Sequence, residues 1–219
     1  MGTNHMGRQS IRFPQPPVVR GFASVAGKKE REGPLGDQFT ATVQDTTFGE
    51  KSWEQAERRM QQMTLELALE KAGLTDADLE AAFAGDLLNQ CIGSSFSLRN
   101  RGVPTLGLYG ACSTMAESLL LAAMSVSGGF ARTALAMTSS HFASSERQYR
   151  FPAGLWRAAH ADVAVDGHRR GRSPARRRER GIRITAATIG SIVDRGICDA
   201  NNMGAGHGPG SLCDAAGTF

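Results

Sequence analysis

Residues 106–129 read Leu-Gly-Leu-Tyr-Gly-Ala-Cys-Ser-Thr-Met-Ala-Glu-Ser-Leu-Leu-Leu-Ala-Ala-Met-Ser-Val-Ser-Gly-Gly. This pattern predicts a short strand over 106–109, a glycine turn, and a helix from about Ala111 to Ser127, which the two following glycines end. Glu117 is the only charged residue of that helix. The helix is therefore apolar on nearly every face, and we expect it inside a large core. It is too short, and too closely framed by glycines, to span a membrane.

Cys112 lies in the first turn of the predicted helix. Backbone N–H groups in a first turn have no helical partners, and the positive end of the helix dipole favours an anion. A thiol at such a position tends toward the thiolate, which is the nucleophilic form. A buried structural cysteine is the alternative, because cysteine also packs as a small hydrophobic side chain. The sequence pattern admits both interpretations.

The composition is that of a globular protein. The chain has 219 residues, of which 41% are hydrophobic and 21% charged, enough for one large domain or two small ones. Its four cysteines form no CxxC pair, which argues against a disulfide scaffold or structural zinc. We predict no metal site, no cofactor and no signal peptide. Residues 1–17 are interpreted as a disordered leader.

The predicted elements alternate between strands and helices. They are strand material at Val18, Val19, Phe22 and Val25, a helix from the Ser52 cap to Lys71, a short helix capped by Thr75 with Asp78, a strand over 81–88, a helix over 91–100, and a strand over 132–138. Charged residues fill the second face of the helix that Ser52 begins. This alternation predicts an α/β fold with a parallel sheet covered on both faces.

Polar residues follow three of the predicted strands. Asp86 and Asn89 follow the first, Cys112 the second, and Ser140 and His141 the third. Ligands of such sheets bind at the carboxyl ends of the strands, so these residues predict one site. We expect Cys112 and His141 to line a common pocket with Asn89 near its mouth. A lone histidine is also commonly a structural residue, and that interpretation of His141 stays open.

Two arginines follow in a polar stretch before a proline. Arg147 and Arg150 are interpreted either as residues of a solvated loop or as a guanidinium clamp for a carboxylate. Arginine suits the second role because its planar fork binds both carboxylate oxygens.

The basic character of the chain comes from one segment. Residues 156–180 contain eight arginines and three acidic residues, a net charge of +5 in a chain whose total is +4, so the remainder carries −1. A basic arm that binds nucleic acid is one interpretation of this segment.

Several motifs together resemble the stage V sporulation protein AD family. The resemblance covers most of residues 20–154 and 181–205, and the motifs are Gly110-Ala-Cys-Ser-Thr, Ala84-Gly-Asp-Leu-Leu-Asn-Gln, the run 136–152, Gly33-Pro-Leu-Gly, the run 51–58 and the run 181–204. The family is thiolase-like, so the resemblance implies that this chain is mostly the N-terminal half of a thiolase-like subunit over 18–205, with a mixed or parallel sheet and a buried central helix. The second half of the subunit is expected to be absent.

The resemblance also implies a function. Members bind dipicolinic acid and take part in its uptake into the developing spore, with other proteins of the same sporulation operon at the spore inner membrane. The implied ligand-binding residues here are Cys112, His141, Asn89, Arg147, Arg150 and Ser140. The protein is expected to be cytoplasmic, peripheral at that membrane, and a homodimer when full length. The alternative is an acyltransferase, because Cys112 falls where ketoacyl synthases of the wider superfamily carry their nucleophile.

Two segments depart from the family pattern. A family-like run that begins Gly-Tyr-Gly-Gly-Gln-Arg can be written as reconstructed codons. Read one base out of phase, those codons give residues 155–171 as they stand here. We therefore interpret 155–180 and 206–219 as out-of-frame translation, which removes the argument for a nucleic-acid partner. A segment with few apolar residues and clustered like charges is expected to pack poorly.

Overall fold

A computed structural model describes residues 4–149, 159–167 and 181–191, with side chains described outside 146–149 and 159–167. The helices and strands, in chain order, are β1 (His5–Met6), β2 (Ser10–Arg12), β3 (Val18–Ala26), α1 (Lys28–Arg31), β4 (Ala41–Thr42), α2 (Trp53–Ala72), β5 (Ala81–Gly85), α3 (Ile92–Leu98), β6 (Thr105–Leu108), α4 (Thr114–Ser127), β7 (Thr133–His141), α5 (Phe142–Tyr149), β8 (Ala159–Gly167) and β9 (Ala186–Thr188).

The chain divides into two compact units, Met1–Pro16 with Ile184–Phe219, and Pro17–Arg183. In the first unit, β2 pairs antiparallel with β1 and with β9. The hydroxyls of Ser10 and Thr188 lie 2.8 Å apart and add a side-chain contact to this small sheet. The prediction of a disordered leader is therefore wrong for the described residues from 4 to 16, because their backbone groups pair with residues distant in sequence.

The second unit contains a six-stranded sheet in the order β4-β3-β8-β7-β5-β6. Strands β5, β6 and β7 are parallel to one another, as are β3 and β4. Strand β8 runs antiparallel to both of its neighbours, β3 and β7. The α/β class is confirmed, and of the two expected forms the sheet is mixed and not wholly parallel.

Strand β8 lies inside a segment that was expected to pack poorly. Its nine residues pair along one edge with β3 and along the other with β7, where Val163 aligns with Met137. The expectation is wrong for Ala159–Gly167, in which apolar residues at 159, 161, 163 and 165 alternate with polar residues at 160, 162 and 166, a strand pattern. The rest of 155–180 and the predicted tail 206–219 lie outside the described residues. The out-of-frame origin of both segments stays a prediction.

The two faces of the sheet carry different helices. Along β7, Leu135 and Met137 join the core cluster that contains Leu65 of α2, while Ala134 and Ala136 join the cluster that contains Ala122 of α4. Helices α2 and α3 therefore cover one face, which we call the α2 face, and α4 covers the other, the α4 face. The alternation of side chains along a strand fixes this division.

The boundaries of α2 follow from its capping residues, as predicted. Ser52 accepts a hydrogen bond from the backbone N–H of Gln55, and Gly73 ends the helix in the left-handed conformation at φ 65°. The predicted capping box at Thr75 and Asp78 is also formed, around a single 3₁₀ turn. The polar face of α2 departs from prediction, because Glu57 and Gln61 are buried.

Helix α4 departs from the expected central helix in two ways. It begins at Thr114, after a 3₁₀ turn over Ala111–Ser113, and only one of its faces is buried. Met124 stays 42% exposed, and Phe130, which follows the helix, is 88% exposed. Within the described residues, α4 lies on the surface of the unit, because no second layer of chain covers its outer face. No described helix is both long and apolar enough to cross a membrane.

Candidate functional site

The carboxyl ends of the three parallel strands meet at one edge of the sheet, as predicted. Gly85 of β5 aligns with Leu108 of β6 on one side and with Thr138 of β7 on the other. The residues that follow these positions therefore lie at the same end of the sheet. The polar residues that follow the three predicted strands therefore converge at one end of the sheet.

The two faces of the sheet nevertheless separate the residues that were expected to share a pocket. His141 shares the alternation of Leu135 and Met137 and lies on the α2 face, whereas Cys112 precedes α4 on the opposite face. This arrangement does not favour a pocket lined by both Cys112 and His141, and that pocket stays a prediction. Strand β7 continues through Ser140 to His141, three residues beyond its predicted end. The alternation of side chains along the strand therefore extends to His141 and places its imidazole on the α2 face.

On the α4 face, Cys112 occupies the turn that leads into the helix, and its side chain is exposed. Ala111 before it adopts a left-handed φ of 48°, which is uncommon for a residue with a Cβ atom. Hydrogen bonds hold this turn closed, from Ser113 Oγ to the Gly110 carbonyl and from Thr114 Oγ1 to the Ala111 carbonyl. The thiol is thus presented to solvent by a locally ordered turn.

Ser140 is brought to the same face as Cys112. It shares the alternation of Ala134 and Ala136, which pack under α4, and is half-buried, as is Thr138. Of the polar groups that the sequence predicts at the strand ends, the Ser140 hydroxyl is therefore on the face that α4 covers, and the exposed Cys112 thiol lies in the turn before α4.

A carboxylate lies beside the start of α4. A Cβ atom built on Gly110 would clash with Glu117 Oε2 and lie 2.7 Å from Ser113 Oγ, so Glu117 bends back over the turn. The positive end of the helix dipole stabilises a negative group at this position. An anionic ligand bound at this helix start would therefore meet a negative charge already in place.

His141 makes a structural contact. Its side chain is 1% exposed, and Nε2 lies 2.9 Å from the carbonyl oxygen of Thr46, to which it donates. Nδ1 has no hydrogen-bond partner among the described residues. Burial lowers the pKa of His141, outweighing the opposite effect of the Thr46 bond, so the ring is neutral at pH 7. Of the two interpretations left open by the sequence, the geometry favours the structural one.

A buried polar network on the α2 face was missed by sequence reasoning. Gln61 Nε2 donates to Ser94 Oγ at 3.1 Å and to Ser139 Oγ at 2.6 Å. Ser94 Oγ donates to Asp86 Oδ2 at 2.7 Å, and Ser139 Oγ donates to Glu57 Oε1 at 2.7 Å. The network thus connects the exits of β5 and β7 through one residue of α2.

The sequence did carry a signal for this network. Glu57 and Gln61 stand at i+4 spacing in line with Leu65 and Leu69, which are buried on the same row of α2. Two polar residues on an otherwise apolar row indicate buried partners, since a buried carboxylate or amide must be hydrogen-bonded.

Asp86 serves this network and is not available to a ligand. It is 1% exposed and accepts hydrogen bonds from the backbone N–H groups of Leu88 and Ser94 in addition to the Ser94 hydroxyl. Asn89, three residues later, is exposed in a 3₁₀ turn that contains two left-handed residues, Gln90 and Cys91. Asn89 is therefore accessible at the edge of the sheet.

The second cysteine of this region is buried. Cys91 Sγ lies 3.1 Å from the Leu108 carbonyl oxygen. Burial raises the pKa of the Cys91 thiol, and the charge of Asp86 acts in the same direction. Cys91 thus fits the structural interpretation that the sequence left open for Cys112.

The arginines complete the set of predicted site residues. Arg147 belongs to α5, which directly follows β7, and its side chain lies outside the described part of the molecule. Arg150 lies outside the described residues altogether. No group of three or more His, Cys, Asp or Glu residues arranged to hold a metal ion occurs in the described part of the chain.

Comparisons with known proteins decide the family. The family model for stage V sporulation protein AD matches residues 7–216. The stage V sporulation protein AD of Bacillus subtilis (strain 168) is 40% identical over 205 residues, which is 93% of this chain. The chain belongs to the stage V sporulation protein AD family. It spans 60% of the length of that Bacillus relative. The match to the family model includes 155–180 and 206–216, which are the first segment interpreted as out of frame and most of the second.

Solved structures similar to this family member are ketosynthases and related proteins. The priming β-ketosynthase of the R1128 polyketide pathway is 18% identical, with a TM-score of 0.48 over 77% of this chain and 53% of its own. The 3-oxoacyl-[acyl-carrier-protein] synthase III of Aquifex aeolicus VF5 is 16% identical, with a TM-score of 0.47 over 71% and 55%. A cysteine-to-serine variant of Xanthomonas campestris OleA is 15% identical, with a TM-score of 0.48 over 70% and 57%. Family membership follows from the sequence matches.

Proposed function

We propose that this member of the stage V sporulation protein AD family binds dipicolinic acid for its uptake into the developing spore, and that Cys112 lines the site without acting as a nucleophile. The observation that carries the second part is the separation of Cys112 from His141 on opposite faces of the sheet. A base within hydrogen-bond reach is one of the ways in which a nucleophilic thiol is activated, alongside the start of a helix. His141, the histidine nearest in sequence among the described side chains, donates to a backbone carbonyl on the other face.

The ligand determines what the site must contain. Dipicolinic acid at neutral pH is a rigid dianion with two carboxylates flanking a ring nitrogen. It needs cationic or N–H donors for the carboxylates and an apolar wall for the ring. The α4 face offers half-buried Leu108 and Met115 near the start of α4 as that wall, and Ser140 as a donor.

The cationic part of the proposal rests on two arginines. Arg147 and Arg150 follow β7 on the chain, and we assign them to the ligand carboxylates. Cys112 and Asn89 lie at the exits of the neighbouring strands and border the site. His141 and Asp86 are left out of it, since both are engaged in buried contacts on the α2 face.

Glu117 opposes an anion at the helix start and sets a limit on where the ligand lies. Like charges a few ångströms apart repel by an amount that depends on how far water is excluded from between them. A ligand carboxylate is therefore placed toward Ser140 and the arginines, and not over the Gly110 turn that Glu117 already occupies.

The partners and location belong to the same proposal. The full-length protein acts as a homodimer, in the cytoplasm at the periphery of the spore inner membrane, with the other proteins of its sporulation operon. The support for this is family membership. The basic segment 156–180 is assigned no nucleic-acid partner.

An acyltransferase is the second candidate function, and one observation favours it. Cys112 is exposed at the start of a helix, in a turn whose preceding residue is left-handed. Exposure of this kind gives a thiol access to an acyl-thioester. The two candidates differ in whether Cys112 becomes acylated.

Calorimetry and intact-mass measurement on the same preparation distinguish them. We expect heat of binding on titration with dipicolinate and no added mass after incubation with acyl-CoA. Benzoate, with one carboxylate and no ring nitrogen, is the matched control ligand and is expected to bind more weakly. Absence of dipicolinate binding contradicts the first proposal, and an acyl adduct that disappears in Cys112→Ser supports the second.

A further inference from the structure

Glu57 of α2 has a carboxyl group that is buried against the end of β7 and the start of α5. Its side chain is 0% exposed, and its two oxygens have separate partners. Oε1 lies 2.7 Å from Ser139 Oγ, and Oε2 lies 2.6 Å from Ser144 Oγ. No described lysine or arginine forms an ion pair with it. An isolated buried carboxylate is costly unless it takes up a proton.

The single hydrogen of Ser144 decides how these contacts are satisfied. Ser144 Oγ lies within hydrogen-bond distance of two acceptors, Glu57 Oε2 at 2.6 Å and the carbonyl oxygen of His141 at 2.8 Å. One hydroxyl hydrogen cannot serve both. A proton on Glu57 Oε2 resolves the conflict, because the carboxylic acid then donates to Ser144 Oγ and Ser144 donates to the His141 carbonyl.

The hydroxyl on the other side is compatible with the same arrangement. Ser139 Oγ accepts from Gln61 Nε2 at 2.6 Å, so its own hydrogen is free to point to Glu57 Oε1. Oε1 of a carboxylic acid protonated at Oε2 is a carbonyl oxygen and accepts that bond. Every polar atom from Gln61 Nε2 to the His141 carbonyl then has a partner of the right kind.

We propose that Glu57 is a buried proton-binding site, and that its proton completes a hydrogen-bond relay from Glu57 through Ser144 to the His141 carbonyl, which fastens the start of α5 to the end of β7. When the proton leaves, Ser144 turns its hydrogen to Oε2, and the His141 carbonyl keeps only the longer hydroxyl bond from Ser145 Oγ, at 3.2 Å. The relay lies on the α2 face and the proposed ligand site on the α4 face, and they share the elements β7 and α5.

The charged surroundings favour the protonated form. Burial raises the pKa of Glu57 to about 7, and the charge of Asp86 acts in the same direction, against the hydrogen bonds from Ser144, from Ser139 and from the backbone of His141. Among the elements packed around Glu57, α3 presents Ser94, β8 aligns Ala161 with Ser139, and the described first turn of α5 is uncharged.

The remaining charged groups near this end of the sheet include Glu54 of α2 and Glu30, whose charges act on the His141 ring. The His141 ring donates to Thr46, and Arg58 pairs with Glu50 at 3.2 Å. Helix α5 carries Glu146 and Arg147 beyond its first turn.

The first test is a titration of the whole chain by NMR with 13C-labelled glutamate. We expect the side-chain carboxyl carbon of Glu57, assigned by its loss in Glu57→Gln, to titrate with a midpoint near 7. A midpoint near 4.5, the ordinary value of a glutamate, overturns the proposal.

The second test follows the relay itself. The backbone carbonyl carbon of His141 is expected to shift with the same midpoint as Glu57, and to lose that shift in Ser144→Ala. The His141 ring does not confuse this measurement, because burial lowers the pKa of His141 below its ordinary value of 6.5. A His141 carbonyl shift that persists in Ser144→Ala, or that has a different midpoint from Glu57, overturns the relay.

The third test uses stability. An unfolded glutamate releases its proton at a lower pH than buried Glu57, so the stability that the proton brings is full below about 4.5 and is lost as pH rises through about 7. The unfolding constant of the wild type divided by that of Glu57→Gln is expected to rise roughly tenfold per pH unit across that window. Glu70→Gln, on an exposed position of the same helix, should keep the corresponding ratio constant. A constant ratio for Glu57→Gln overturns the proposal.

Discussion

Ser140 and His141 are consecutive in β7 and lie on opposite faces of the sheet. Ser140 shares the α4 face with Cys112, whereas His141 reaches the Thr46 carbonyl on the α2 face. The residues at the end of this one strand therefore belong to two different surroundings. One is accessible beside α4, and the other is a buried polar network with contacts to α2 and to the loop before it.

The proposed ligand site predicts a loss of affinity when its cations are removed. Replacing Arg147 and Arg150 together by alanine should weaken dipicolinate binding by a few kcal/mol, since a charge-assisted hydrogen bond contributes about 1.5–3 kcal/mol. Isothermal titration calorimetry measures this change. Arg99→Ala, at an exposed position next to the ring of Phe96, is the control and should bind as the wild type does. Unchanged affinity in the double variant would remove the arginine clamp.

Glu117 predicts an effect of opposite sign. Glu117→Gln removes the carboxylate that bends over the Gly110 turn, so the affinity for dipicolinate should increase, by roughly 1 kcal/mol for a charge pair in a largely aqueous setting. The same calorimetric titration at low and high salt checks it, because salt screens the repulsion in the wild type. Weaker binding in Glu117→Gln would place the ligand in contact with Glu117 and contradict the assignment.

Gly85 is expected to be a sensitive position of the sheet. A Cβ atom there would clash with the Leu108 carbonyl oxygen and lie 2.6 Å from Thr114 Cγ2. Gly85→Ala should destabilise the protein by about 3 kcal/mol, because the obstructing atom belongs to a paired backbone. Gly107→Ala is the matched control in β6, where the nearest atom, Cys91 Cβ, lies at an ordinary 3.7 Å. Chemical denaturation of both variants tests the difference, and equal stabilities would contradict the close approach of β5 and β6 at Gly85.

His141 predicts a loss of stability at acidic pH. Its folded pKa is lowered, so below about 6.5 the unfolded chain binds a proton that the folded chain does not, and stability falls as pH falls. His141→Gln retains a donor for the Thr46 carbonyl and lacks this titration. The variant should therefore gain stability relative to the wild type between pH 6.5 and 5. Denaturation at several pH values measures the difference, which the opposite slope of Glu57 does not affect because Glu57 is present in both proteins.

The pairing of β8 predicts protection from hydrogen exchange. The backbone amides of Ala159–Gly167 that pair with β3 or β7 should exchange slowly, as those of β7 do, because both edges of β8 are hydrogen-bonded. Mass spectrometry of peptides from this region provides the measurement. Exchange as fast as that of an unstructured peptide would contradict the central place of β8 in the sheet.

Much of the local structure could be predicted from the sequence. The ends of α2 follow from Ser52 and Gly73, and the turn at Thr75 follows from its capping box, because each involves groups within four residues of one another. The convergence of the strand ends was also predictable, since parallel neighbouring strands share a direction. The site residues themselves were predicted as a set, but not which of them lie together.

The sequence by itself determined the family, the α/β class and the caps that begin and end the helices. Only the tertiary structure decided that β8 lies between β3 and β7, that Glu57 is buried, and that His141 lies on the face opposite Cys112. The physical reason is the separation along the chain between the residues that determine each feature. Caps and periodicity depend on near neighbours along the chain, whereas the face that a strand residue occupies and the burial of a carboxyl depend on partners about 80 residues away, such as Ser139 and Ser144 for Glu57.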